Sequence, residues 1–290
     1  MSKPEKARYL NFHILNIKLR KSKTTKDLAP EDYVKLFRKM FREKIHKESS
    51  PNKHCIIKFL FDEKEDSNIK YLSGTFAQFA YIENDKWFSL KSLDLDHEFH
   101  VPDGLFPDAK IGDFVFIPAA HRFCYKLTTE FKVPPYAIKK FLQAALDEAA
   151  NKNQYVQVDV ETDQTTIEKI LAARVIKKLT IDINYSNVDI GKSLKKFVEK
   201  DIKASNSSRL ILEATQKPNE SIDVKKSVIL NGAIQASISN GETVAKIVND
   251  NNKVETIKTT KFPRKEVVYG VPARFNDLVF DRVMKIWRPK

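Results

Sequence analysis

The sequence predicts an α+β protein of two mixed sheet-and-helix subdomains, one over residues 1–150 and one over 151–290. Two observations carry this. Short runs of alternating apolar and polar residues recur along the whole chain, and they are broken by longer runs in which apolar residues return every three or four positions. Several alternating runs also follow one another through short polar turns, which favours antiparallel pairing over a purely parallel sheet.

The elements follow in order. RYLNFHILNIKL (8–19) reads as a strand, with Tyr9, Phe12, Ile14, Ile17 and Leu19 as its apolar content. After the polar loop RKSKTTKD, Pro30 opens a helix at its first turn, with Glu31 and Asp32 at the positive end of the dipole. Tyr33, Phe37, Met40, Phe41 and Ile45 line one side of it and Lys35, Arg38, Lys39 and Arg42 another, so it is amphipathic with a basic outer face. HCIIKFLFD (54–62), YLSGTFAQFAYIE (71–83) and WFSL (87–90) read as successive strands. The polar stretch LDLDHEFHVPDGLFPDAKIG reads as loop. DFVFIPAAHRFCYKL (113–127) reads as one bent strand or two. Pro134 and Pro135 start a helix whose Ile138, Phe141, Leu142, Ala145 and Leu146 face inward.

YVQVDVET (155–162) alternates strictly, as a half-buried strand does. A short helix, TTIEKILAA, precedes the strand 174–185, with Leu179, Ile181, Ile183 and Tyr185 on one face. A helix is expected over 188–205, a strand over 209–216, a helix over 221–237, then a hairpin TVAKIV–NDNN–KVETIKTTKF running into the basic loop KFPRKE. DLVFDRVMKIWRPK closes the chain.

Composition narrows the function. At 290 residues and 42% hydrophobic, the chain supports a packed core rather than global disorder. No apolar run reaches eighteen residues and the first residues lack a signal-peptide pattern, so neither membrane insertion nor export is expected. Two cysteines make no disulfide framework and fit a reducing, cytoplasmic setting. With only seven glycines, nests that cradle phosphates are disfavoured, and no cofactor is expected. Lys and Arg number 51 against 38 Asp and Glu, a net charge of +13. The surplus lies at the ends: 14 basic against 6 acidic residues in 1–50, 12 against 15 in 51–150, and 25 against 17 in 151–290. Such asymmetry points to a polyanion, and nucleic acid is the commonest one.

Four constellations can carry chemistry. His121 and Cys124 stand three apart, but a zinc site needs a second pair of ligands. His54 and Cys55 would point to opposite faces of a strand, and His97 and His100 lie in a loop, so 113–127 is expected to be a core strand with Cys124 inside. SNVDIGKS (186–193) sits between strand and helix like a P-loop, with Glu213 placed as a second acidic motif; yet Ser186 replaces the first glycine and Asp189 stands where phosphate would lie. Asp159, Glu161 and Asp163 share a strand face and, with Asp182, could hold a divalent cation for a nuclease; the alternative is that they form the solvent side of the strand. The basic faces are the strongest signal. Lys192, Lys196, Lys200 and Lys203 make one stripe along the expected helix 188–205, with Lys195 beside it. Lys258, Lys261, Arg264 and Lys265 cluster in the last basic loop, Arg38 and Arg42 lie on the first helix, and Lys18, Arg20, Lys21, Lys23 and Lys26 add to the first loop. Lysine binds phosphate as a point charge, so these faces predict binding with little sequence preference.

In segment order the chain resembles the RexA family of prophage exclusion proteins, through FVFIPAAHRFCY, AIKKFLQAAL, YVQVDVET, and TTIEKI followed by VIKKLTIDI. It also resembles an uncharacterised bacterial family of phage-defence neighbourhoods, through RYLNFHILNIKL, FVFIPAAHRF and KLTIDINYSNVD. The resemblance implies a homodimeric DNA-binding protein without strong sequence preference, acting in antiviral defence with a partner effector; it carries over no catalytic residue. The expected function is therefore sequence-independent binding of nucleic acid, foremost duplex DNA. The alternatives are a metal-dependent nuclease on Asp159, Glu161 and Asp182, and a protein-interaction adaptor.

Overall fold

The computed structural model describes residues 5–21, 28–66, 68–82, 87–96, 98, 102–184, 207 and 209–287. Within them the fold is α+β, with curled antiparallel sheets and five α-helices. The organising element is β1 (Arg8–Lys21), which runs two residues past the expected end and is buried on both faces over residues 14–19. On one edge, residues 12–16 pair with β8 (Arg122–Lys126). On the other edge, residues 8–13 pair with β14 (Lys265–Gly270) and residues 15–21 with β9 (Gln154–Val160). The sheet continues from β8 through β7 (Lys110–Ile117), β4 (Asn68–Ala80) and β3 (Lys53–Glu65) to β2 (His46–Ser50). A small separate hairpin joins β5 (Trp87–Ser89) to β6 (Asp94–Asp96) within the stretch read as loop.

Two helices, α1 (Pro30–Arg42) and α2 (Pro135–Ala149), lie over one face of this sheet. Both start at proline, and the inward set expected for α2 is buried throughout. In α1, Tyr33, Val34, Leu36, Phe37 and Met40 are buried, whereas Phe41 turns outward. The opposite face is covered by α5 (Phe275–Trp287), whose Phe275, Val279 and Val283 pack on Leu10, Phe12, Ile14, Val115, Ile117, Cys124 and Val268.

Between β9 and β14 the chain leaves the sheet and builds a second one. It holds α3 (Gln164–Leu171), then β10 (Val175–Asn184), β11 (Arg209–Thr215), α4 (Val228–Asn240), β12 (Gly241–Val248) and β13 (Val254–Lys258). The sheet order is β11-β10-β12-β13, and Leu179, Ile181, Ile183, Ala245, Ile247 and Ile257 meet Ala233, Ile234 and Ala236 of α4. The two sheets therefore do not divide at residue 151. Strands from beyond it, β9 and β14, complete the first sheet beside β1. The chain departs after Val160 and returns at Lys265 to adjacent places, since Thr162 bridges Pro263 and the Arg264 amide donates to the Glu161 carbonyl.

The stretch 113–127 is two strands rather than one. A 3-10 turn at Pro118–Ala120 and His121 in the left-handed region, at φ 57°, reverse the chain. Phe123 and Tyr125 then face α1 and α2, while Cys124 faces α5.

Candidate nucleic-acid interface and the polar junction behind it

The carboxylates of β9 come first, because the sequence leaves them between metal ligands and solvent. Asp159 and Glu161 are buried, and the set is not gathered in one place. Asp159 is 1% exposed and receives Lys18 Nζ at 2.9 Å, Gln157 at 3.2 Å, Asn184 at 3.1 Å and Lys139 at 3.5 Å. Lys18, read from sequence as part of the first basic loop, is itself 1% exposed. Burial pushes the Asp159 carboxyl up, but Lys18, Lys139 and the hydrogen bonds from Lys18 and Gln157 outweigh it and hold the group below its usual range.

Glu161 leads elsewhere. Arg122 Nε lies 3.0 Å from it and Ser239 Oγ donates to it at 2.9 Å. Arg122 also donates to Asn16 Oδ1 at 2.8 Å, and Asn16 donates to the Ser239 carbonyl at 3.0 Å. This buried set ties β1, β8 and the end of β9 to the last turn of α4. Asp159 and Glu161, expected as metal ligands or on a solvent face, are thus interior, each facing a buried cation of the first sheet, whereas Asp163 is partly exposed and caps α3 by accepting from the Thr165 amide.

Asp182 lies on the second sheet, opposite Glu242 in the β10–β12 pair. Two carboxylates facing each other repel. Arg209 engages both oxygens of Asp182, its Nε at 2.8 Å, and Lys258 approaches Glu242 at 3.5 Å. Asp159, Asp182 and Glu242 line one cleft of about 320 Å³ between the sheets, with Tyr136, Lys139, Asn184, Arg209 and Thr260. Of the expected nuclease trio, then, Asp159 and Asp182 share a cleft and Glu161 does not; Glu242 is the third carboxylate there. Among the described residues no three His, Cys, Asp or Glu side chains are placed to hold a metal ion.

The histidines and thiols are structural in their contacts. His121 Nδ1 lies 2.6 Å from the Tyr33 hydroxyl. Burial pushes the Cys55 thiol up to about 12 and raises Cys124 further, so neither is a ready nucleophile. His97 and His100 lie outside the described residues, as do the P-loop-like stretch 186–193 and the lysine stripe Lys192, Lys195, Lys196, Lys200 and Lys203.

The remaining basic residues divide in two. Arg38 is paired with Asp62 and Arg42 with Glu43 at 3.3 Å, both at the surface. Arg264 holds Glu266 through Nε at 2.8 Å and Nη2 at 2.6 Å, while Arg282 grips the other oxygen of Glu266. The guanidinium groups of Arg264 and Arg122 each lie over the Trp287 rings, at 4.8 and 4.7 Å from a ring centroid. Arg264 is therefore part of the scaffold that fixes β14. Lys261 and Lys265, on either side of it, are exposed. Sequence reasoning missed that KEVVYG, after the basic loop, is itself a strand. Its alternation was legible, and it places Val267 and Tyr269 outward beside Lys265.

The chain belongs to the family described as a domain of unknown function, DUF4747, which it matches over residues 8–286. No curated protein matches it.

Proposed function

We propose that this protein binds nucleic acid through the phosphate backbone, with little sequence preference, as the cytoplasmic sensing or binding subunit of a bacterial antiviral defence system that works with a partner effector. The observation that carries the reading is where the charge surplus is left. The buried cations Lys18 and Arg122 are each matched by a buried carboxylate, Asp159 and Glu161. These two pairs cancel within the described interior, while the chain as a whole carries a net charge of +13 and, among the described residues, Lys261 and Lys265 stand exposed. A surface of that sign condenses on a polyanion and releases its counterions. The likeness in segment order to prophage exclusion proteins supports duplex DNA as the first ligand and a homodimer as the acting form. No helix of the described residues is long and apolar enough to cross a membrane.

The test is fluorescence anisotropy with labelled duplex DNA, single-stranded DNA and RNA, each titrated with salt. Affinity is expected to fall steeply with salt. Reversing Lys261 and Lys265 together is expected to flatten the log–log slope by up to about two units, roughly one per lost phosphate contact. Reversal of Lys192, Lys196 and Lys200 is expected to weaken binding at every sequence alike. Absence of binding at low salt would refute the reading.

A further inference from the structure

The start of β1 and the whole of β14 form a two-stranded ribbon with unlike faces. Leu10, Phe12 and Val268 lie under α5. The other face carries the cross-strand pairs Tyr9–Tyr269, Asn11–Val267 and His13–Lys265. Residues directly opposite in an antiparallel pair project from the same side, so these six side chains share one surface. Tyr9 is 73% exposed, Tyr269 61% and Val267 44%. The two tyrosine rings lie 5.1 Å apart with their planes 58° to each other. Lys265 is exposed at the far end of this surface, Lys261 precedes it, and Phe262 between them is 46% exposed.

We infer that this face is a stacking platform for unpaired bases of a single-stranded nucleic acid, with Tyr9 and Tyr269 as the rings and Lys265 and Lys261 as the phosphate contacts. The inference rests on the nucleic-acid reading and specifies how part of the ligand is held. Three features support it. Single exposed apolar residues are ordinary on a protein surface, but here two aromatic rings and a valine are contiguous on a face whose reverse side is fully packed. An aromatic ring stacks with any base, and that requires no sequence preference. The charge complements: the six paired side chains include no carboxylate, and Lys265 lies four residues along the strand from Tyr269, roughly 14 Å at strand rise, so base and backbone can be met by one short segment. In a duplex the bases are stacked on each other and cannot lie on these rings, so the platform selects open strands, ends or bubbles.

The experiment uses the full-length protein, a labelled oligothymidylate and a labelled blunt duplex at one salt concentration, with wild type, Tyr9→Ala, Tyr269→Ala, Tyr9→Phe/Tyr269→Phe and Lys265→Glu. Each alanine variant is expected to lose about fivefold to a hundredfold in single-strand affinity with its duplex affinity and melting temperature unchanged. The double phenylalanine variant retains binding, because stacking needs the ring and not the hydroxyl. Lys265→Glu weakens both ligands. Single-strand affinity unmoved by the alanine variants overturns the platform while leaving duplex binding, and hence the broader reading, intact. Equal loss on both ligands overturns it too, as does a change in sedimentation without a change in binding, which would mark the face as a contact between copies. A wild type that binds neither ligand overturns the platform together with the reading beneath it.

Discussion

Lys18 and Asp159 show how one residue's role depends on what the fold brings to it. Each sits in a sequence context that reads as surface, one in a lysine-rich strand end and one on the polar side of an alternating strand. Their 2.9 Å contact, with both side chains at most 2% exposed, makes them an interior pair. Breaking such a pair leaves a buried charge with too few partners. Lys18→Met is expected to cost about 3–5 kcal/mol, whereas the double variant Lys18→Met/Asp159→Leu costs much less, because both desolvation penalties go together; urea denaturation of the three proteins measures this. The same pair sets a pH dependence. Asp159 is held below its ordinary value of 3.8 in the folded state, so the unfolded chain takes up the proton first as pH falls. Its contribution is complete above that ordinary value and is lost as pH drops towards the folded value. Asp159→Asn is therefore expected to flatten stability against pH below about 4, measured by melting temperature across an acid series. A cleavage assay that relied on altering Asp159 would confuse chemistry with folding.

At the scale of elements, the edge of β9 shows a device that no periodicity reveals. β9 pairs with β1 on one side, and on its other side the Gln143 side chain of α2 donates to the Val156 carbonyl at 3.0 Å and accepts from the Val158 amide at 2.8 Å. One side-chain amide thus occupies the place of a strand peptide and blocks pairing at that point. Gln143→Ala is expected to cost about 1 kcal/mol and to speed exchange of the Val158 amide, read by native-state hydrogen exchange. Gly74 makes a comparable local demand. A Cβ there would stand 2.0 Å from the Phe59 carbonyl oxygen, so only glycine fits where the β3–β4 register shifts between Ile57 and Phe59. Helices starting at Pro30 and Pro135 were legible because proline and apolar spacing act locally. The helix expected over 221–237 begins seven residues later, at Val228, where Ser227 caps it by accepting from the Leu230 amide. β2 and β6 escaped notice because strands of five and three residues carry too few positions for alternation to stand out.

At the scale of the molecule, the second sheet is a long excursion between two strands that lie side by side on β1. The polar set Arg122, Glu161, Asn16 and Ser239 fastens it to the first sheet. Arg122 and Glu161 are both fully buried and paired, so this charged set adds no net charge to the outer field. The candidate interface divides in the same way. Lys261 and Lys265 were readable as a basic loop, but Arg264 between them is drawn inward by Glu266 and Trp287, and Tyr9 and Tyr269 become neighbours only because β14 returns 260 residues later to lie against β1.

The sequence by itself determined what depends on neighbours along the chain: the α+β class, most strand and helix positions, the inward face of α2, the buried Cys124 and the sign of the overall charge. These follow from periodicity, proline and counting. The tertiary structure alone decided which strands share a sheet, which lysine or arginine meets a carboxylate, and which aromatic rings meet in the open. Those outcomes depend on contacts between residues far apart in the chain, where desolvation and pairing, rather than local spacing, decide whether a charged side chain is scaffold or surface.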